Sequence, residues 1–154
     1  MLFLLACDTG PDAPPIPEDA PKVQTMLGEV QGVLFTGEWT SKDCPGRTYP
    51  RNLVIAPDHG YAGLDLVSPC PAGATCAWSG MVGFAGVWKI EGRTLQLREI
   101  GQPASAVQKD GPHPSELVAT NEKKLAEGDC IYEPGLYVPE GYTKEQVTPK
   151  VPGT

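Results

Sequence analysis

Residues 84–98 constrain this chain more than any other stretch. Phe84-Ala85-Gly86-Val87-Trp88-Lys89-Ile90 alternates, placing Phe84, Gly86, Trp88 and Ile90 on one face if it is extended, because successive side chains of a strand point to opposite sides. Glu91-Gly92 is a tight hairpin signal. Thr94-Leu95-Gln96-Leu97-Arg98 then runs back with strict alternation. A chain built around this hairpin reads as all-β.

The rest of the central region repeats the pattern in short pieces. Candidate strands are Val33 to Trp39, Leu53-Val54-Ile55, Tyr61 to Val67, Trp78 to Val82, Leu117-Val118-Ala119 and Cys130-Ile131-Tyr132, with the turn signal Pro57-Asp58-His59-Gly60 between the second and third. Only Glu122 to Ala126 suggests a helical turn. Counting the central hairpin, about eight short strands separated by turns predict a small antiparallel meander barrel. Phe35-Thr36-Gly37-Glu38-Trp39 is echoed by Phe84-Ala85-Gly86-Val87-Trp88, and each is followed by Gly-Arg-Thr and a Leu-rich strand. A glycine between two aromatics on one strand face leaves room for a bulky neighbour and lets the strand bend.

Thr36-Gly37-Glu38-Trp39-Thr40 resembles the Gly-x-Trp first strand of the calycin group, the lipocalins and avidins. Asn52-Leu53-Val54-Ile55 and Gly60-Tyr61-Ala62-Gly63 fit an avidin-like continuation. The resemblance implies an eight-stranded meander barrel able to hold a small ligand, with the tryptophan closing one end. The sequence departs from lipocalins in having no arginine within residues 114–134, where that family places one over the tryptophan. The polar biotin contacts of avidins do not map onto it.

A second resemblance lies at the start of the chain. Leu4-Leu5-Ala6-Cys7 is similar to the processing box of bacterial lipoproteins. It implies cleavage before Cys7, lipid on the Cys7 sulfur and a place in the bacterial cell envelope, in a leaflet left open. Residues 1–6 then read as the remnant of a signal peptide. No Lys or Arg precedes Cys7 and the apolar run is short, so the expected true start lies upstream of Met1. The competing reading is a buried N-terminal strand with a core cysteine. Residues 8–24 contain five prolines, three aspartates and a glutamate, so 7–28 is expected to be a disordered tether. As polyproline II, residues 8–24 would reach about 50 Å at about 3.1 Å per residue. The folded domain is expected over 29–134. Residues 135–154 form a tail that would lie across it through Leu136, Tyr137 and Tyr142.

Setting Cys7 aside leaves Cys44, Cys70, Cys76 and Cys130, an even set that reads as two disulfides in an exported small domain. Three connectivities are possible. The favoured one pairs Cys70 with Cys76, clipping a short loop, and Cys44 with Cys130, tying the first strand region to the last. Loop entropy gives about 2.4 kcal/mol for the first and about 4.6 kcal/mol for the second. No Cys-x-x-Cys pair is present, so no metal site and no cofactor is expected. Net charge is −7 without a Lys/Arg run, which argues against a nucleic-acid partner.

Candidate chemistry is sparse. Gly-x-Ser-x-Gly is absent, and Ser79 lacks a recognisable base. His59 and His113 read as solvated loop residues, so no catalytic residue is assigned and no enzymatic activity is expected. Asp65 shares a strand face with Tyr61 and Gly63. Alternation favours that face as exterior, with Leu64 and Leu66 inside; were it interior, Asp65 would be a buried carboxylate. Trp39, Trp78, Trp88, Tyr61 and Asp65 are the candidate ligand contacts, although core packing is the stronger reading of the aromatics. The expected function is a membrane-anchored envelope module for protein interaction or assembly. The alternatives are a lipocalin-like carrier of a small apolar ligand, and an inhibitor of a lysozyme-type enzyme.

Overall fold

A computed structural model describes residues 34–67, 73–75, 80–101, 113–120 and 122–153. Eight antiparallel strands close into a barrel in simple sequence order. They are β1 (Gly37–Ser41), β2 (Arg51–Ile55), β3 (Gly60–Leu66), β4 (Met81–Glu91), β5 (Thr94–Glu99), β6 (Glu116–Ala119), β7 (Leu125–Glu127) and β8 (Cys130–Pro134). β8 returns to pair with β1 through Trp39↔Pro134 and Thr40↔Glu133, and closure removes the open sheet edge that would invite aggregation. The all-β meander expected from sequence is the fold observed.

The central hairpin forms as the sequence predicts. β4 and β5 pair from Gly86↔Glu99 to Glu91↔Thr94, joined by Gly92-Arg93 with Gly92 at φ 64°. Three details differ. The Trp78–Val82 and Phe84–Ile90 segments were expected as separate strands; from Met81 onward they are one strand of 11 residues. The expected helical turn near Glu122 is instead the approach to β7, turned by Lys123 at φ 57°. Leu125 is thereby carried into the core, 1% exposed. Finally, Phe35 lies just ahead of β1 rather than within it. The Phe-Gly-Trp motif therefore shares one strand face in β4 but not in β1. In β4 the glycine is required: a Cβ at Gly86 would overlap the Arg98 carbonyl and press on the Tyr61 ring at 2.7 Å.

One half of the interior is solid and apolar. Phe35, Trp39, Leu53, Ile55, Trp88, Leu95, Leu97, Leu117 and Leu125 form its core with Tyr61, Phe84 and Tyr132. The indole N–H of Trp39 donates to the Phe35 carbonyl at 2.8 Å, and that of Trp88 to the Ala56 carbonyl at 2.9 Å. Both large rings are thus buried without an unsatisfied donor.

The C-terminal tail packs on the outer face of β2 and β3. The Asn52 amide donates to the carbonyls of Tyr137 and Val147 at 2.9 and 3.0 Å, and its oxygen accepts from the Tyr137 N–H at 3.0 Å. Val147 is fully buried, and Val151 packs with Ala56 and Ala62. Leu136, Tyr137 and Tyr142, expected to hold the tail, are only half-buried. Asn52, which bonds the Tyr137 backbone, and the buried Val147 and Val151 hold it as well.

Cys44 and Cys130 form a disulfide with Cα atoms 4.7 Å apart, tying the β1–β2 loop to the start of β8. The proposed Cys70–Cys76 clip, Trp78, residues 1–6, Cys7 and the 7–28 tether lie outside the described residues.

Candidate functional site

The barrel interior changes character towards the end where β1, β3, β5 and β7 finish. Five strands reach it with the same device: the inward face of each continues past its apolar residues to a polar one. Trp39 is followed by Ser41, Gly63 by Asp65, Leu97 by Glu99 and Leu125 by Glu127, while Arg51 precedes Leu53 on β2. The pairing Arg51↔Asp65 is direct.

These side chains form a connected ionic network. Arg51 Nε and Nη2 reach Asp65 Oδ1 and Oδ2 at 2.5 and 2.9 Å, a two-pronged contact that suits a planar guanidinium. Arg51 Nη1 lies 3.8 Å from Glu127 Oε2, and the same oxygen accepts from the Tyr132 hydroxyl at 2.7 Å. The Arg51 guanidinium sits 5.3 Å from the centre of the Phe84 ring, and Arg51 is only 1% exposed. Burial acts against its charge, but the hydrogen bonds and charge of Asp65 outweigh burial, raising its pKa and holding it ionised. Burial, with Glu127 contributing, pushes the Tyr132 phenol up to about 12. Burial and then Glu99 push Tyr61 up to about 12. Tyr49 is raised by burial and by Asp65.

His113 completes the network from the β5–β6 connection. Its ring stacks on Phe84 with centroids 3.8 Å apart. Nδ1 is 2.8 Å from Glu99 Oε2, and Nε2 is 3.9 Å from Asp65 Oδ2; the side chain is 7% exposed. This corrects the expectation of a solvated loop histidine. The stack depends on Gly63, where a Cβ would overlap the Phe84 ring. His59, by contrast, is exposed in the β2–β3 turn at φ 70°.

Asp65 also reverses its expectation. It is interior, 3% exposed, and Leu64 and Leu66 are exterior. Alternation misled because the outer face of β3 is not bare: Leu66 is 2% exposed on that side, and Ala62 is covered by the tail. Both faces of this strand are largely apolar, so the buried face cannot be chosen from hydropathy. The other candidate contacts among the described residues do not assemble around Asp65. Trp39 and Trp88 plug the opposite end, and Tyr61 lies between the two halves, 6.4 Å from Phe84. Arg47, Arg51, Glu99, Glu127 and Tyr132 were not singled out from sequence. For Arg51, Glu99 and Glu127 the signal was the continuation of an apolar inward face by one further step.

The strand ends at the polar end are joined by the longer connections 42–50, 67–80 and 100–115; those at the opposite end are joined by 56–59, 92–93 and 120–124. Next to the disulfide, a pocket of about 320 Å³ is lined by Cys44, Arg47, Arg51, Glu127, Asp129 and Cys130, among others. Among the described residues, no group of three or more His, Cys, Asp and Glu side chains is placed to hold a metal ion.

Comparison with known proteins found no matching family model, no matching curated protein and no matching solved structure. The fold and the site together define a disulfide-tied, eight-stranded up-and-down barrel with an apolar half and an ionic half.

Proposed function

We propose that this chain is a lipid-anchored envelope module that presents the long-loop end of a rigid barrel to a protein partner. The observation that carries the reading is a filled interior. Twelve side chains, each no more than 8% exposed, occupy the apolar core, and the ionic groups of the other half bond one another. A carrier needs interior space, typically several hundred Å³ lined by apolar side chains, and here aromatics occupy that place. His113 and its two carboxylates likewise bond to each other, which suits stability better than turnover. Loops held on a rigid scaffold are the usual site of recognition, and the three longest connections all join strand ends at the same end of the barrel. The processing-box resemblance at Cys7 and the Pro/Asp-rich stretch behind it support a tethered display.

The test uses the full gene expressed in a bacterial host, with a photo-crosslinking residue at Asp43 on the loop end or at Arg93 on the opposite end. The reading expects a discrete crosslinked protein from Asp43 and none from Arg93. Equal yields from both ends, or none from Asp43, would contradict it. Intact mass of the same material reads the anchor: an unmodified Cys7 would remove the membrane part.

A further inference from the structure

Arg47 is a buried cation without an anion. It is 7% exposed, yet among the described residues no carboxylate lies within ion-pair distance of it. Its Nη2 donates to the Ser41 carbonyl at 3.4 Å, and its guanidinium lies 5.9 Å from the ring centres of Tyr49 and Tyr132. Nε, Nη1 and the neighbouring Ser41 hydroxyl make no hydrogen bond. The contrast with Arg51 is direct, since that guanidinium has a two-pronged carboxylate. Burying an unpaired charge costs several kcal/mol, so a fold that keeps one calls for the missing anion.

Arg47 also lines the pocket beside the disulfide, whose volume of about 320 Å³ falls at the small end of ligand sites. The lining also carries Glu127 and Asp129. Asp129 is exposed in the β7–β8 turn, and Glu127 is shared between Tyr132 and Arg51. A lining with two guanidiniums, Arg47 and the already paired Arg51, and two carboxylates, Glu127 and Asp129, disfavours a polyanion such as phosphate. It matches a small molecule with both signs of charge.

We propose that this pocket binds a small zwitterion of the amino-acid type. Its carboxylate meets Arg47, and its ammonium faces Glu127 and Asp129. The unpartnered nitrogens of Arg47 are buried, so the carboxylate reaches them through a side-chain shift of the kind binding commonly brings. The Cys44–Cys130 bond forms part of the pocket wall, and the Arg47 N–H is hydrogen-bonded to the Cys44 carbonyl at 3.0 Å. Arg47 is thus held where the disulfide holds Cys44.

The test is a thermal-shift and calorimetric titration of the full chain with free L-amino acids, their N-acetyl derivatives lacking the ammonium, and their amides lacking the carboxylate. Free amino acids should raise Tm and bind saturably. Amides should not bind, and N-acetyl derivatives should bind more weakly. Arg47→Met should fold with an unchanged or higher Tm without ligand, because it removes the unpaired charge. It should weaken binding by about 10- to 100-fold, the worth of a charged hydrogen bond. The Arg47 Nε–H resonance should move on binding in the wild type, which reports the site independently of stability. Three outcomes would overturn the proposal: no saturable binding by any free amino acid, equal binding of amides, or unchanged affinity in Arg47→Met. N-acetyl derivatives binding as tightly as free amino acids would overturn the ammonium pairing.

Discussion

The two halves of the barrel interior are built from the same strands by opposite means. At the closed end, Trp39, Trp88 and the leucines of β5, β6 and β7 are held by burial, and their few polar atoms bond to nearby carbonyls. At the loop end, Arg51, Asp65, Glu99, His113 and Glu127 are held by one another. Apolar packing is tolerant, because a lost methyl leaves only a small cavity. An ionic network fails unevenly: removing one member leaves a buried charge unpaired, whereas removing both members of a pair can be nearly neutral.

The largest expected effects test this asymmetry. Trp88→Ala should cost about 3–5 kcal/mol through a large cavity, read by urea unfolding. Asp65→Ala should cost a similar 3–5 kcal/mol although it deletes few atoms. Arg51→Met combined with Asp65→Leu should recover most of that loss. If the double variant is as unstable as Asp65→Ala, the two halves do not differ in the way described.

The disulfide comes next. Cys44→Ser with Cys130→Ser opens a link between residues 86 apart in sequence, for which loop entropy gives about 4.6 kcal/mol and typical measured losses are about 2–5 kcal/mol. Its effect should concentrate at the loop end, so hydrogen exchange should accelerate in β8 and residues 44–47 more than in the β4–β5 hairpin. On the outer wall, Asn52→Ala should cost about 1–3 kcal/mol, because three backbone groups of the tail lose their partner.

The last effect is a pH dependence confined to alkaline solution. Tyr61 and Tyr132 both have their folded pKa raised to about 12. The native state thus holds these protons more tightly than the unfolded chain, whose phenols titrate near 10. The corresponding stability is fully present below pH 10 and is lost as pH rises from 10 to 12. Tyr132→Phe should flatten the alkaline fall in stability, and phenol absorbance of the folded protein should titrate late. Titration of all tyrosines near pH 10 in folded protein would contradict the burial of these two.

The same contrast explains what could be read from the sequence. The apolar half was legible because alternation is strict: Phe84, Trp88, Leu95 and Leu97 face inward as their spacing requires. The pairing of Cys44 with Cys130 was also readable, as a link between the first and last strand regions. The ionic half was not. Arg51, Glu99 and Glu127 look like ordinary charged strand ends, and only closure of the barrel brings them together from three different strands. Asp65 was misplaced because the tail covers the outer face of β2 and β3, so hydropathy no longer marks which side is buried. His113, between Pro112 and Pro114, gave no local sign of the Phe84 ring it stacks on. That ring is available only because position 63 is glycine.

The central claim is that the interior is filled, and a fluorescent apolar probe tests it most directly. N-phenyl-1-naphthylamine titrated into the full chain should show no saturable enhancement and no energy transfer from Trp39 or Trp88. A saturable one-to-one isotherm with tryptophan transfer, abolished by a competing fatty acid, would contradict the account and restore the carrier reading.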